Sequence, residues 1–259
     1  MQKWLPISIA LLLIAACSTS PTGRKQILLF SEQQLAAMGQ QSFTSMKADL
    51  KVAQQSVQNN YVQCIAEHII AQLPNDDPSQ WEIVVFDNEQ SNAFALPGKK
   101  IGVYTGILKV ATDQHQVAAI IGHEVGHVLA QHANERVSTG QLASLGNEVA
   151  NRALDNYDSE YSTLIRAALG LGTQYGVLLP FSRTHESEAD LIGLELMSKA
   201  GFNPSGAVTL WQNMRQANGK QVPEWMSTHP SPDTRIKDLK ASLPRFTPLY
   251  QQQNNKPKC

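Results

Sequence analysis

The sequence predicts an α+β fold that is mainly helical, and three observations support that prediction. Apolar residues recur at helical spacing along several stretches of the 259-residue chain. Segments rich in β-forming residues are confined to residues 81–104, which predicts one small antiparallel sheet. The stretch His123-Glu124-Val125-Gly126-His127 follows these segments, inside a strongly apolar helical pattern. We therefore expect the fold to be organised around this helix, with the sheet beside it.

The overall composition is that of an ordinary globular protein. Hydrophobic residues make up 42% of the chain, charged residues make up 17%, and the formal net charge is −1. A chain with this charge offers no basic surface, so we expect no nucleic-acid partner. The length fits one large domain, which we place at residues 31–250, followed by a C-terminal tail at residues 251–259.

Residues 1–16 have the features of a secretory signal peptide. A basic residue near the start precedes a short apolar run, and small residues lie immediately before Cys17. The apolar run is too short to remain in a bilayer as a permanent anchor. We therefore expect residues 1–16 to be a signal peptide that is absent from the mature protein.

The tetrapeptide Ile14-Ala15-Ala16-Cys17 resembles the bacterial lipobox, whose cysteine is lipid-modified and becomes the first mature residue. This resemblance implies membrane attachment through the lipid on Cys17, with residues 17–30 as a lipidated N-terminus and tether. Ser18 in the second position resembles lipoproteins sent to the outer membrane, so we expect a location there, facing the periplasm of a Gram-negative bacterium. The alternative is a simple cleaved signal beside an incidental cysteine.

Two helices are predicted before the sheet. Ser31, with Gln34 three residues later, forms a capping-box pattern and begins a helix that we expect to reach about Gln55. A second helix follows Asn60, and the prolines and acidic residues at 74–78 end it. Its apolar stripe predicts that one face packs on the core.

Three strands are predicted in the sheet. They cover Trp81–Asp87, Asn92–Leu96 and Lys100–Tyr104, with a turn at Pro97-Gly98 between the last two. Short connections of this kind favour antiparallel neighbours, which is the arrangement that we expect.

The central helix is predicted over about Asp113–Ala133, with its first residue as the N-cap. His123 and His127 are four residues apart, so their side chains lie on one face about a turn apart and can bind a single metal ion. Gly122 and Gly126 weaken the helix locally, which indicates that another backbone comes close to this part of it.

The pattern His-Glu-x-x-His is typical of zinc peptidases. Zinc readily takes imidazole ligands, and a catalytic zinc site keeps one position open for a water that the metal makes acidic. Glu124, next to the first histidine, is the candidate catalytic base for that water. We therefore expect one zinc ion per chain as the cofactor, held by His123, His127 and a third ligand.

The third ligand is expected from a helix that begins near His185. Periodicity places Glu186 on the inward face and Glu188 on the outer face, so Glu186 is the better candidate. Asp190 lies one turn beyond Glu186, where its carboxylate can accept the free N–H of a metal-bound histidine. His185 and His132 are interpreted as supporting or structural residues.

The strand before the central helix could be only the edge of a sheet. In zinc peptidases, however, an edge strand beside the metal pairs with extended substrate through its backbone, so we predict a substrate-binding strand at Asn92, Ala93, Phe94 and Ala95. Residues 164–181 are notably apolar, and we expect a helical hairpin covering the cleft there rather than a membrane span.

Cys64 and Cys259 remain after Cys17 is assigned to the lipid site. An even pair in an oxidising compartment predicts a disulfide, which would anchor the C-terminal tail. The alternative is two unpaired cysteines.

At these motifs the chain resembles a family of membrane-associated zinc metallopeptidases that includes the CAAX prenyl protease, the heat-shock protease HtpX and the beta-barrel assembly-enhancing protease. The resemblance implies a zincin fold of the gluzincin type with Glu186 as third ligand, and a role in quality control of envelope proteins. Because the chain lacks multiple spans and helical repeats, it resembles a lipoprotein type without repeats. The residues that carry the resemblance are Thr22-Gly23-Arg24, residues 92–98, His123 to His127, Glu186 to Asp190, His229-Pro230-Ser231-Pro232 and Arg235.

His229 lies in a proline-rich stretch and has two candidate catalytic roles. In the first role it donates to the oxyanion that develops during hydrolysis, with Arg235 nearby as a second positive group. In the second role, which the family resemblance implies, its imidazole occupies the open zinc position and keeps the enzyme inactive until substrate displaces it. The alternative is a simple turn before the last helix.

These features predict a zinc-dependent metalloendopeptidase, tethered to the outer membrane on its periplasmic side, that cleaves unfolded or misassembled envelope proteins. The competing class is a zinc-stabilised, chaperone-like binding lipoprotein. A structural zinc site is normally closed by four ligands and has no use for a glutamate in the Glu124 position, so the enzyme is favoured.

Overall fold

A computed structural model describes residues 17–54, 56–74, 76–154, 179–217 and 232–259 of the chain. The described part is mainly helical with two small sheets, which confirms the predicted fold class. The expected signal peptide at 1–16, most of the apolar stretch at 164–181 and the His229 segment lie outside the described residues. Within those residues, no helix has the length and apolar character that a membrane crossing requires.

The first described residues form an antiparallel pair of short strands, β1 (Cys17–Thr19) and β2 (Lys25–Ile27). We call residues 17–27 the N-terminal hairpin. The expectation that residues 17–30 form a tether is wrong. The segment is folded, and its residues hydrogen-bond to the body of the protein. Its short polar residues indicated a linker, but here they form the turn and buried hydrogen bonds, and Ser20 and Gln26 are buried.

Helix α1 covers Glu32–Asp49 and begins with the predicted capping box between Ser31 and Gln34. It ends six residues before the expected Gln55. Helix α2 covers Ser56–Ile70, so it begins earlier than predicted, and a 3₁₀ turn at Pro78–Gln80 leads into the sheet.

The second sheet has three strands, β3 (Glu82–Phe86), β4 (Ala93–Leu96) and β5 (Lys100–Tyr104), in the order β3-β5-β4. β4 and β5 are antiparallel, as expected, and residues 98 and 99 make their turn with positive φ values of 82° and 62°. β3 and β5 are parallel, so the sheet is mixed rather than wholly antiparallel. The connection after β3 carries the chain past β5 to the far edge, which leaves β5 in the middle.

The remaining helices surround a buried central helix, α4, which covers Gln114–Leu129 and is capped by Asp113 as predicted. The side chain of Asp113 accepts hydrogen bonds from two backbone N–H groups of the first turn. The other helices are α3 (Thr105–Val110), α5 (His132–Leu154), α6 (Leu179–Lys199), α7 (Ser205–Ala217) and α8 (Pro232–Gln251).

Helices α4 and α6 approach each other through glycines. A methyl group placed on Gly122 would lie 2.9 Å from the carbonyl oxygen of Gly193, and one on Gly126 would lie 2.9 Å from that of Ala189. Both distances are too short for a real side chain, so the two backbones touch only because these residues are glycines. The predicted close approach is confirmed, and it brings the acidic residues 186–190 of α6 against the histidines of α4.

The C-terminal tail is bound to the body of the protein at two points. Cys64 of α2 and Cys259 form a disulfide, with Cα atoms 5.8 Å apart. Gln114 donates a side-chain hydrogen bond to the carbonyl of Pro257 and accepts one from the backbone N–H of Cys259. The tail therefore lies beside the first turn of α4.

Replacing both Cys64 and Cys259 with serine is expected to lower the free energy of unfolding by about 2–4 kcal/mol, because the crosslink restricts the unfolded chain. Denaturant titration with and without a reducing agent measures this. The reducing agent should destabilise the wild type and leave the double variant unchanged. Mass spectrometry that found both thiols free in unreduced peptides would contradict the disulfide.

Candidate metal centre

Three side chains from α4 and α6 converge as metal ligands would. The Nε2 atoms of His123 and His127 are 3.0 Å apart, and the carboxylate of Glu186 lies 3.3 Å from the first and 3.5 Å from the second. Zinc bonded at 2.0–2.1 Å in a tetrahedron separates its ligand atoms by about 3.3 Å. The spacing and chemistry of these donors therefore fit one zinc ion, and the three residues form a candidate metal site.

Glu124 lies next to this site and is almost fully buried, with 1% of its surface exposed. Together with His127 it lines a cavity of about 710 Å³. The cavity also contacts the start of α1, the segment after α4 and the whole of β4. A carboxylate that lines a cavity of this size beside a metal site can exchange protons with a molecule bound there.

β4 forms one wall of the cavity and is the edge of its sheet. Only one side of its backbone pairs with β5, and no other strand of the described residues pairs with the opposite side. All four residues of the predicted substrate-binding strand, Asn92 to Ala95, line the cavity. An extended peptide placed there would have a backbone edge to pair with.

A carboxylate and a guanidinium hold the first histidine. Nδ1 of His123 is 3.1 Å from Asp190, and Arg235 donates to both Asp190 and Glu186. Burial alone would raise the pKa of Asp190, but Arg235 and the hydrogen bond with His123 lower it to about 2. Asp190 is therefore ionised where it can orient the ring of His123.

Arg235 is buried, with 4% of its surface exposed, and its guanidinium lies 4.1 Å from the ring of Trp211. Its donors are directed at the carboxylates of Glu186 and Asp190. These contacts fit the supporting role predicted for Arg235, and they do not favour the role of a second positive group beside an oxyanion.

The prediction that Glu188 faces outward is wrong. Only 4% of its surface is exposed, and its carboxylate accepts hydrogen bonds from Thr22, from Arg24 at 2.8 Å and from Nε2 of His132 at 3.1 Å. Periodicity identified the outer face of α6 correctly, but the N-terminal hairpin and α5 cover that face. Removal of Glu188 is therefore expected to leave three hydrogen-bond donors without this acceptor.

Glu135 of α5 is a second buried carboxylate, and its position was not predicted from the sequence. It accepts two hydrogen bonds from Arg24, at 2.7 and 2.6 Å, and others from Gln26 and His185 at 3.0 Å. Burial opposes ionisation, but these donors lower the pKa of Glu135 to about 2. The Thr22-Gly23-Arg24 motif was the available sequence signal, yet nothing in the sequence indicated its partners.

His132 connects this cluster to the metal site. Its Nδ1 is 2.8 Å from Nδ1 of His127, and its ring stacks on that of His185 with centroids 4.1 Å apart. Burial, together with the neighbouring His185, lowers the pKa of His132 to about 4, so the ring is neutral near pH 7. Both His132 and His185 were expected to be supporting residues, and neither belongs to the candidate ligand group of His123, His127 and Glu186.

His229 lies outside the described residues, and its two candidate roles remain predictions from the sequence. We expect His229→Ala to raise activity at low substrate concentration, because a histidine that blocks the open metal position would be removed. Loss of an oxyanion donor would instead lower turnover about a hundredfold or more. The measurement is activity on one unfolded substrate over a range of concentrations. Unchanged activity throughout would leave His229 only its place in a turn.

Comparison with known proteins agrees with this geometry. The family model described as Peptidase family M48 matches residues 56–243. The mitochondrial metalloendopeptidase OMA1 of Schizosaccharomyces pombe is 37% identical over 186 residues, which cover 71% of this chain and 52% of the relative. OMA1 of Danio rerio is 33% identical over 247 residues, 90% of this chain and 51% of the relative.

A more distant relative is the beta-barrel assembly-enhancing protease of Escherichia coli, which is 21% identical over 224 residues. That alignment covers 83% of this chain and 45% of the relative. The chain therefore spans about half the length of these relatives.

Proposed function

This chain belongs to peptidase family M48, and from that premise we propose that it is a zinc metalloendopeptidase that cleaves extended segments of unfolded or misassembled envelope proteins. One observation carries the proposal. A single cavity is lined by Glu124, by His127 and by all four residues of β4, which is an edge strand of its sheet. The name of the Escherichia coli relative, a beta-barrel assembly-enhancing protease, supports envelope proteins as the substrate class.

In this proposal His123, His127 and Glu186 hold the zinc. When bound there, zinc supplies Lewis acidity, which activates water and polarises a peptide carbonyl. Glu124 accepts a proton from the attacking water and delivers it to the amide nitrogen of the leaving chain. Asp190 keeps the His123 ring oriented, so that the base and the ligands stay aligned.

β4 positions the substrate. Its free edge pairs with the backbone of an extended peptide, which makes binding depend on main-chain hydrogen bonds more than on side chains. A folded domain cannot present such a segment, whereas an unfolded chain presents many. The cavity beside β4 gives room for the substrate side chains.

The test is digestion of one envelope protein in its denatured and its folded form by the purified protein. We expect cleavage of the denatured form only, loss of cleavage after chelation, and recovery with zinc. Equal cleavage of both forms would contradict selection of extended segments. Binding of the denatured protein without cleavage would instead favour the chaperone-like lipoprotein.

We also propose that the protein is an outer-membrane lipoprotein facing the periplasm. The lipobox-like residues before Cys17 support this, and a disulfide between Cys64 and Cys259 suits an oxidising compartment. Cys17→Ser is expected to abolish incorporation of labelled palmitate and to move the protein out of the membrane fraction. Ser18→Ala, one residue further on, is the matched control and should keep the label. A wild-type protein without label would leave only a cleaved signal.

A further inference from the structure

We propose that the N-terminal hairpin is a working part of the metal centre: Arg24 fixes Glu188, and Glu188 acts through His132 to position His127 as a metal ligand. These are positioning residues, because none of them lies among the candidate ligands. The inference rests on the proposed function only in requiring that His127 binds a metal ion. It assigns a role to a segment that the sequence indicated to be a passive linker.

The hydrogen bonds that join Glu188, His132 and His127 have a defined direction. Nε2 of His132 faces the carboxylate of Glu188 at 3.1 Å, so this nitrogen carries the hydrogen. The neighbour of its other ring nitrogen, Nδ1, is Nδ1 of His127 at 2.8 Å, and two ring nitrogens this close share one hydrogen, so Nδ1 of His132 accepts. His127 therefore donates from Nδ1, which leaves the lone pair of its Nε2 directed at His123 and Glu186. That is the tautomer that a metal ligand needs.

Glu188 is held in place by the N-terminal hairpin. Its carboxylate accepts from the Thr22 hydroxyl and from Nε of Arg24, both of which belong to the N-terminal hairpin. The other end of the Arg24 guanidinium is held by two hydrogen bonds to Glu135. A forked guanidinium between two buried carboxylates has little freedom, so it fixes the position of Glu188.

The other histidine ligand, His123, is also oriented by a carboxylate that an arginine holds. His123 is oriented directly by Asp190, which is held by Arg235 from α8. For His127, Nδ1 contacts His132, and His132 in turn contacts Glu188, which is held by Arg24. Residues 186, 188 and 190 of one helix thus offer a ligand and one orienting carboxylate for each histidine.

Three variants of the full mature chain test the proposal by zinc affinity, measured in competition with a chelator. His132→Ala should weaken zinc binding about 10–100-fold, the usual cost of losing a partner of a ligand histidine. Glu188→Gln should weaken it less, because an amide oxygen can still accept from His132. Arg24→Ala should weaken it as well, although Arg24 is not itself a candidate ligand. Thr22→Val, which removes one donor to Glu188, replaces Arg24→Ala if that variant does not fold.

The matched control is Ser138→Ala. The Ser138 hydroxyl accepts a hydrogen bond from the backbone N–H of Leu29, two residues after the N-terminal hairpin, and so helps to hold the hairpin on α5. This contact is not part of the hydrogen bonds from Arg24 through Glu188 and His132 to His127. This variant should lower the thermal midpoint equally with and without zinc, with zinc affinity unchanged. The three test variants should instead reduce the rise in midpoint that zinc produces, because that rise depends on affinity.

Two results would overturn the inference. One is unchanged zinc affinity in both His132→Ala and Glu188→Gln. The other is an Arg24→Ala or Thr22→Val protein that is less stable but binds zinc like the wild type, because the hairpin would then be purely structural. A wild-type chain that bound no zinc would reject the proposed zinc enzyme itself, so the two failures are distinct.

Discussion

Replacing Glu124 with glutamine is expected to lower kcat/KM roughly 10²–10⁴-fold while leaving the metal content unchanged. The substitution keeps the size of the side chain and its hydrogen-bonding reach, but an amide cannot accept the proton of the attacking water. The ligands on either side, His123 and His127, are not altered. Cleavage of a fluorogenic peptide, together with metal analysis of the same samples, measures both quantities.

The control for this experiment is Glu67→Gln, which makes the same change on an exposed part of α2 and should retain wild-type activity. A fully active Glu124→Gln protein would reject the assignment of the base. If the wild type binds zinc and unfolded chains but cleaves none of them, Glu124 has no catalytic task, and the competing class of a binding lipoprotein gains support.

The second large effect is expected for Glu186→Ala, which should lose the metal and all activity. Two histidines from one helix turn cannot complete a three-ligand site, so affinity should fall by more than the 10–100-fold typical of a supporting residue. Folding should survive, because Arg235 keeps its second carboxylate partner, Asp190. Metal content after dialysis, with circular dichroism as a check on folding, is the measurement.

Glu188→Ala is the informative comparison for that result. Glu188 is also buried on the same helix, but its carboxylate contacts Arg24 and His132, whereas that of Glu186 lies near His123 and His127. It should bind zinc more weakly than the wild type and still more tightly than Glu186→Ala. The reverse order would transfer the ligand role from Glu186 to Glu188.

The sequence predicted those parts of the site that depend on local spacing. The pair His123 and His127 follows from the helical repeat, and the glycines at 122 and 126 indicated that a second backbone comes close, as Gly193 does. The capping residues Ser31 and Asp113 were also correct, because a cap is a contact within a few residues.

The parts that the sequence could not predict depend on contacts between distant segments. Whether β3 pairs with β5 in parallel is decided by the path of the connection between them and not by the residues of either strand. Glu188 looked exposed because periodicity shows which face of a helix is polar and cannot show that another segment covers it. Arg24 and Glu135 are 111 residues apart, and a single sequence gives no sign that they meet.

The docked N-terminal hairpin would also limit where the proposed protease acts if Cys17 carries the proposed lipid. A free segment of residues 17–30 would extend roughly 45–50 Å, so the cleft could reach substrates up to about that distance from the membrane. Instead β1 begins at Cys17 itself and pairs it with Ile27, so no flexible residues would separate a lipid on Cys17 from the folded protein. Proteolysis would then be confined to a thin layer above the membrane, and unfolded chains that never approach that layer would escape it.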